Sequence, residues 1–72
     1  MIVVRYACLM RPPEPGAVPR DGLHRVCMAE MTAPSGHHAW GWAEYTRVLR
    51  PDEAKHYDLE CMWKKEVVDD AL

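Results

Sequence analysis

Apolar and polar positions alternate in four stretches of this chain and lose that rhythm between them. Met1–Leu9 is the densest stretch. Its β-branched and aromatic residues, Ile2, Val3, Val4 and Tyr6, predict a strand. Ile2, Val4, Tyr6 and Cys8 fall on one face, and Val3, Arg5, Ala7 and Leu9 on the other. Both faces are largely apolar, so this strand is expected at the centre of a sheet or covered on both sides. Asp21-Gly22 is a turn signal. Leu23–Thr32 follows as a second strand, with Leu23, Arg25, Cys27, Ala29 and Met31 opposite His24, Val26, Met28 and Glu30. The part from Arg25 to Met31 also suits two helical turns, because Met, Ala and Glu are good helix formers; the strand is preferred. Ala33–His38 reads as a turn or loop. Trp40–Leu49 is the third strand, where Gly41 between two tryptophans permits a bulge or a close backbone approach.

Arg50–Tyr57 predicts a short helix, with Pro51 at its first position and Asp52 and Glu53 at the positive end of its dipole. Asp58–Trp63 is the fourth strand, with Leu59, Cys61 and Trp63 on one side. Residues 64–72 are charged apart from Val67 and Val68, and read as a flexible tail or a terminal helical turn. The sum is an α+β fold: one domain over residues 1–72, with a small, mainly antiparallel sheet of three to four strands and one short helix. Two helical turns cannot cover a whole sheet face, so the other face or the sheet edges are expected to meet a partner.

The connection between the first two strands breaks the pattern most sharply. Four of the six prolines lie within residues 12–19, flanked by Arg11 and Arg20. Proline fixes φ and removes backbone donors, so residues 11–20 form a rigid loop. Arg11-Pro12-Pro13-Glu14-Pro15 looks superficially like a polyproline ligand. The stronger reading makes the prolines a scaffold that lowers unfolded-state entropy and holds Arg11 and Arg20 in place.

Composition narrows the picture further. At 72 residues, a chain buries only roughly 60% of its unfolded surface, so its margin of stability is thin. There is no Phe; three Trp, three Tyr and five Met must fill the core. Net charge is −2, which argues against a polycation seeking nucleic acid. The charge is nonetheless uneven. All the arginines lie in residues 1–50 and all the lysines in residues 51–72, where the acids also concentrate. Three cysteines, Cys8, Cys27 and Cys61, are odd in number and widely spaced, which predicts reduced, partly buried thiols in a cytoplasmic protein. Met1 leads straight into a strand, without the basic segment of a signal peptide, and no apolar run approaches the ~20 residues of a membrane span.

Little in the chain suggests catalysis or metal. His24, His37, His38, His56 and the cysteines lack zinc-ligand spacing, and adjacent His37 and His38 point apart in an extended segment. No metal or other cofactor is expected. Ser35 sits in a Pro-Ser-Gly turn, and the cysteines fall within strands, so no enzyme activity is expected either. The glycines form no phosphate-binding motif. An anion could still meet arginine forks: Arg5 and Arg47 are placed on one sheet face, and Arg11, Arg20 and Arg50 at loop or element ends. Trp40, Trp42, Tyr45 and Tyr6 are candidates for a stacking platform, or for the core of a protein lacking Phe, with Trp40 and Trp42 on the same side. The candidate binding residues are therefore Arg11, Arg20, Trp40, Trp42, Tyr45, Arg47 and Arg50.

Several phrases carry a resemblance. They are Tyr6-Ala7-Cys8-Leu9-Met10-Arg11-Pro12-Pro13, Pro15-Gly16-Ala17-Val18-Pro19-Arg20 and Gly41-Trp42-Ala43-Glu44-Tyr45-Thr46-Arg47, followed by the run from Leu49 to Leu59. Together they resemble small proteins of phages and integrative elements in gut Firmicutes, of the defence-against-restriction-related or domain-of-unknown-function kind. The resemblance implies a mobile-element protein that acts by binding, inhibiting or sequestering a component of host defence. On this reading the chain is a non-enzymatic interaction module with a protein partner, forming homo-oligomers. The alternative is an oligomer that holds a small anion or nucleotide with arginines at subunit boundaries.

Overall fold

The computed structural model describes residues 1–14 and 16–67. Six strands and one helix follow in the order β1 (Ile2–Cys8), β2 (Leu23–Cys27), β3 (Met31–Thr32), β4 (His38–Ala39), β5 (Trp42–Tyr45), α1 (Pro51–His56) and β6 (Leu59–Glu66). Four of them form one sheet in the order β2-β5-β1-β6, and β3 and β4 form a separate two-stranded hairpin. Every pairing is antiparallel. The α+β class and the central position of β1 therefore agree with the sequence reading.

The predicted second and third strands are each shorter than their apolar runs. Leu23–Thr32 breaks after Cys27, and Met31–Thr32 leaves the main sheet to pair with His38–Ala39. The helical alternative for Arg25–Met31 does not occur. The loop expected at Ala33–His38 is the hairpin tip only over residues 33–37, turned by the Gly36 N–H bonding to the Ala33 carbonyl at 2.9 Å, and His38 already belongs to β4. Gly41 lies just before β5. A Cβ there would lie 2.1 Å from the Cys27 carbonyl oxygen, so the backbones of β2 and the β4–β5 link touch where only glycine fits.

At the other end of the chain, β6 runs on to Glu66, and Val67 N–H bonds to the Met1 carbonyl at 2.7 Å. The expected tail over 64–72 is thus strand through Glu66; residues 68–72 lie outside the described residues. Lys64 and Lys65 pair with Val4 and Val3, so β-ladder pairing overrides their charge.

Two register shifts decide which side chains share a face. In β2, Leu23 pairs with Tyr45 but Arg25 with Glu44, so His24 is bulged and Leu23 faces opposite to Arg25. In β6, Trp63 pairs with Arg5 but Cys61 with Tyr6, so Met62 is bulged. Strict alternation had placed Leu23 with Arg25, and Trp63 with Leu59 and Cys61. The bulges separate both groups.

The first face of the sheet carries the core: Val4, Tyr6, Cys8, Ala43, Tyr45 and Leu59, closed by Val18 and Leu49 and flanked by Ala54 and Tyr57 of the helix region. Tyr6 and Tyr45 meet edge to face at 5.9 Å. Their hydroxyls are satisfied inside the core. Tyr45 donates to the Pro19 carbonyl at 2.6 Å, and the Tyr6 oxygen accepts from Leu49 N–H at 2.9 Å. Burial pushes both phenols above their ordinary range, more so Tyr45; the Leu49 bond partly offsets this at Tyr6. Pro13, Val18 and Pro19 are buried, so the proline loop is a wall of the core.

The helix behaves as its sequence predicts. Pro51 opens it, Glu53 accepts from Arg50 N–H at 3.3 Å, and Asp58, at φ 53°, ends it in the left-handed region that Asp tolerates. Among the described residues, no helix is long and apolar enough to cross a membrane.

Candidate functional site

The second face of the sheet is built differently. The hairpin covers only the Ala7 end, where Ala7, Ala33 and Ala39 pack with Leu9, Met31 and Met62. Ser35 at the hairpin tip fastens it to β6: its backbone N–H donates to Glu60 Oε2 at 2.7 Å and its hydroxyl donates to Glu60 Oε1. His37 Nδ1 lies 2.7 Å from the same hydroxyl. Because the serine proton goes to Glu60, the imidazole faces this oxygen as a donor. The group fastens the hairpin tip to β6.

Beyond the hairpin, the face is an alternating row of cations and indoles. The Arg5 guanidinium lies 3.7 Å from the Trp42 ring centre and 4.7 Å from that of Trp63. Arg25 reaches Trp42 at 5.4 Å, and the Lys65 ammonium reaches Trp63 at 4.9 Å. The row therefore reads Lys65, Trp63, Arg5, Trp42, Arg25 across all four strands. Glu44 lies beneath it with its side chain only 5% exposed. It accepts from Arg5 Nη2 and Nε at 2.7 and 3.0 Å, and from Arg25 Nε at 3.3 Å. Burial pushes the Glu44 carboxyl up, but hydrogen bonds from Arg5 and Arg25 outweigh it and hold the group below its ordinary value. One carboxylate thus anchors two guanidiniums that stay half-buried and exposed, at 21% and 59%.

A second charged cluster closes the first face. Arg47 Nη1 and Nη2 grip the Glu53 carboxylate at 2.9 and 2.8 Å, and Nε donates to the Asp21 carbonyl at 2.8 Å. The Arg47 bond brings the Glu53 carboxyl down to about 2, against the opposing effect of burial. Gly22 makes room for this clamp, since a Cβ there would meet the Arg47 chain at 3.0 Å. The clamp ties the start of β2 and the end of β5 to α1.

The sequence-predicted site residues fall in several places. Trp42 belongs to the second-face row. Tyr45 is fully buried and reaches no surface. Trp40 lies outside β5, exposed, with its ring edge-on to His38 at 5.0 Å, so it does not share a strand face with Trp42. Arg47 is taken up by its clamp and lies on the face opposite Arg5, which corrects their expected grouping. Arg11 and Arg50 are exposed and stand 3.9 and 3.8 Å from Asp58 and Asp52. Arg20 lies at the mouth of a pocket beneath the proline loop. The seven residues do not converge.

Sequence reasoning missed Glu44, Arg25, Trp63 and Lys65. Two signals for part of this were present: Arg5 is the one charge in the first strand, and Glu44 the one acid in the third. Trp63 was hidden because a bulge reverses its face. The thiols carry no counterpart to this site. Cys8 is buried and burial alone pushes it up to about 11, leaving an unreactive group. Among the described residues, no cluster of His, Cys, Asp and Glu is placed to hold a metal ion.

Residues 2–62 match the family model described as Defence against restriction A C-terminal. No curated protein and no solved structure matches the chain.

Proposed function

Because the chain belongs to the Defence against restriction A C-terminal family, we propose that it is a non-enzymatic module that counters restriction by binding a protein of the defence system. The observation that carries this reading is the cation–indole row on the second face. Trp and Arg are the residue types that dominate binding energy at protein interfaces. Here they are held in one arrangement by Glu44, so little side-chain freedom is left to lose on contact. The Arg25 and Lys65 ends of the row stay exposed and set a positive charge on that surface.

The anion-binding alternative finds less support. Arg47 spends its fork on Glu53, and Arg5 and Arg25 spend donors on Glu44. The forks of these three are therefore wholly or partly answered within the chain, which leaves Arg20 as the arginine without a carboxylate partner among the described residues.

The test removes the charge at one exposed end of the row and reverses it at the other. Arg25→Gln, which keeps a donor for Glu44, combined with Lys65→Glu should keep the circular dichroism spectrum yet lose protection of unmodified incoming DNA in cells carrying a restriction system. Unchanged protection by a folded double variant would remove this face from the function. Light scattering on the same preparations reports whether the free protein forms the expected homo-oligomer.

A further inference from the structure

β2 is an edge of the main sheet, and its outer side meets no strand among the described residues. It is not blunted by acids or proline: its sequence is Leu23-His24-Arg25-Val26-Cys27. Val26 is 39% exposed, and Met28 just past the strand is 66% exposed. Beside this edge lies a pocket of about 310 Å³, lined by Val18, Leu23 and Val26, with Gly16, Glu14 and Arg20 around it. Such a volume is at the lower end of the roughly 300–1,000 Å³ typical of ligand pockets. Its wall is the proline loop, held by the Tyr45 hydroxyl on the Pro19 carbonyl and by the turn bond from Ala17 N–H to Glu14 O at 2.9 Å.

Arg20 stands apart from the other arginines. Arg5, Arg11, Arg25, Arg47 and Arg50 each lie between 2.7 and 3.9 Å from a carboxylate. Among the described residues, Arg20 alone has no such partner. An unpaired guanidinium beside an apolar hollow and a strand edge specifies a ligand with three parts: an extended backbone, an aliphatic side chain and a carboxylate.

We propose that β2 and the pocket beside it dock an extended segment of a partner protein, pairing with the edge, placing an aliphatic side chain against Val18, Leu23 and Val26, and presenting an acidic residue to Arg20. A second copy of this chain fits the edge less well. Antiparallel pairing of two β2 strands would set His24 and Arg25 of one copy against the same residues of the other, with no acid on either strand to answer them. An acidic segment meets the charge of Arg20 instead. This site is separate from the cation–indole row, although it rests on the same reading of the protein as a binding module.

The probe is the synthetic eight-residue peptide Thr-Val-Thr-Val-Thr-Asp-Thr-Val, whose valines and single aspartate share one strand face, titrated into the ¹⁵N-labelled full chain. Shift changes should concentrate on β2, Val18 and Arg20. Arg20→Glu should weaken binding at least tenfold, without altering the fold, since Arg20 is exposed and pairs with no acid among the described residues. A peptide with lysine in place of aspartate, and one N-methylated on alternate backbone nitrogens, should each lose at least tenfold. The proposal is overturned if the peptide causes no shifts, if they map to Trp42 and Trp63, or if binding ignores Arg20. It is also overturned if the free protein pairs through β2 with itself, seen as concentration-dependent protection of β2 amides. These outcomes are independent of the restriction assay: the peptide can fail while Arg25→Gln with Lys65→Glu still abolishes protection.

Discussion

The two faces of one sheet solve the same problem by different chemistry. On the first face, Val4, Tyr6 and Tyr45 are removed from water by a second layer, the helix and the proline loop, and their polar atoms find partners inside it. On the second face, the layer is one side chain thick. Arg5 fills the gap between Trp42 and Trp63, and Glu44 is sealed under the guanidiniums that neutralise it. Arginine serves here because its planar group stacks on indole while its edge bonds to carboxylate. A charged row can therefore cover one face of a sheet in place of a packed layer, with its ends at the surface.

The comparison predicts unequal sensitivity. Tyr45→Ala should be the most damaging change, at about 3–5 kcal/mol for a large core truncation. That is comparable to the whole stability of a domain this size, roughly 4–11 kcal/mol by per-residue scaling, so the circular dichroism at 25 °C should show substantial unfolding. Tyr45→Phe isolates the hydroxyl bond to Pro19 and should cost about 1–3 kcal/mol, because a buried carbonyl loses its partner. Equal loss by both variants would mean that the loop bond, rather than apolar burial, holds the first face.

Glu44→Leu tests the second face. Arg5 would remain between the indoles without its carboxylate, at a cost of about 1.5–3 kcal/mol, the range of hydrogen bonds to charged groups. Replacing Arg5 with Met in the same variant should recover part of that loss, since a matched apolar pair removes the orphaned charge. Chemical denaturation of the two single variants and the double variant measures the coupling. No coupling would mean that the row is a decoration on a face stable without it. Gly41→Ala should cost about 1–3 kcal/mol as overpacking, because the new methyl meets the Cys27 carbonyl; thermal melts read it directly.

How much of this was legible follows from what alternation can and cannot encode. The faces of the first strand were readable because it runs unbroken from Ile2 to Cys8, and the helix was readable from Pro51, Asp52 and Glu53. The bulges at His24 and Met62 were not, since nothing in either residue demands one. Yet each reverses every assignment beyond it, and the Met62 bulge alone moves Trp63 onto the second face. The split of Leu23–Thr32 into two strands falls where Gly41 meets Cys27, a contact between segments 14 residues apart in the chain. The candidate site was half visible: Arg5 and Trp42 could be placed, but the pairing of Glu44 with two arginines exists only once β2, β5 and β1 are side by side.

The smallest effect separates the faces by pH. Glu53 serves the first face through Arg47, and its carboxyl lies at about 2 in the folded chain, against about 4.3 when unfolded. A folded value below the unfolded one means that the clamp's contribution is complete above about pH 5 and is lost as pH falls towards 2. Glu44 shifts in the same direction on the second face, so both lose stability on acidification. Glu53→Gln should therefore flatten, but not abolish, the fall in melting temperature between about pH 5 and pH 2. Lys65→Ala, which removes one exposed end of the row, should change the pH 7 melt by no more than about 0.5 kcal/mol and leave the acid slope unaltered. If Glu53→Gln leaves the acid slope intact while Arg5→Met with Glu44→Leu removes it, the acid sensitivity belongs to the second face, and the row, not the clamp, is the electrostatic element on which folding depends.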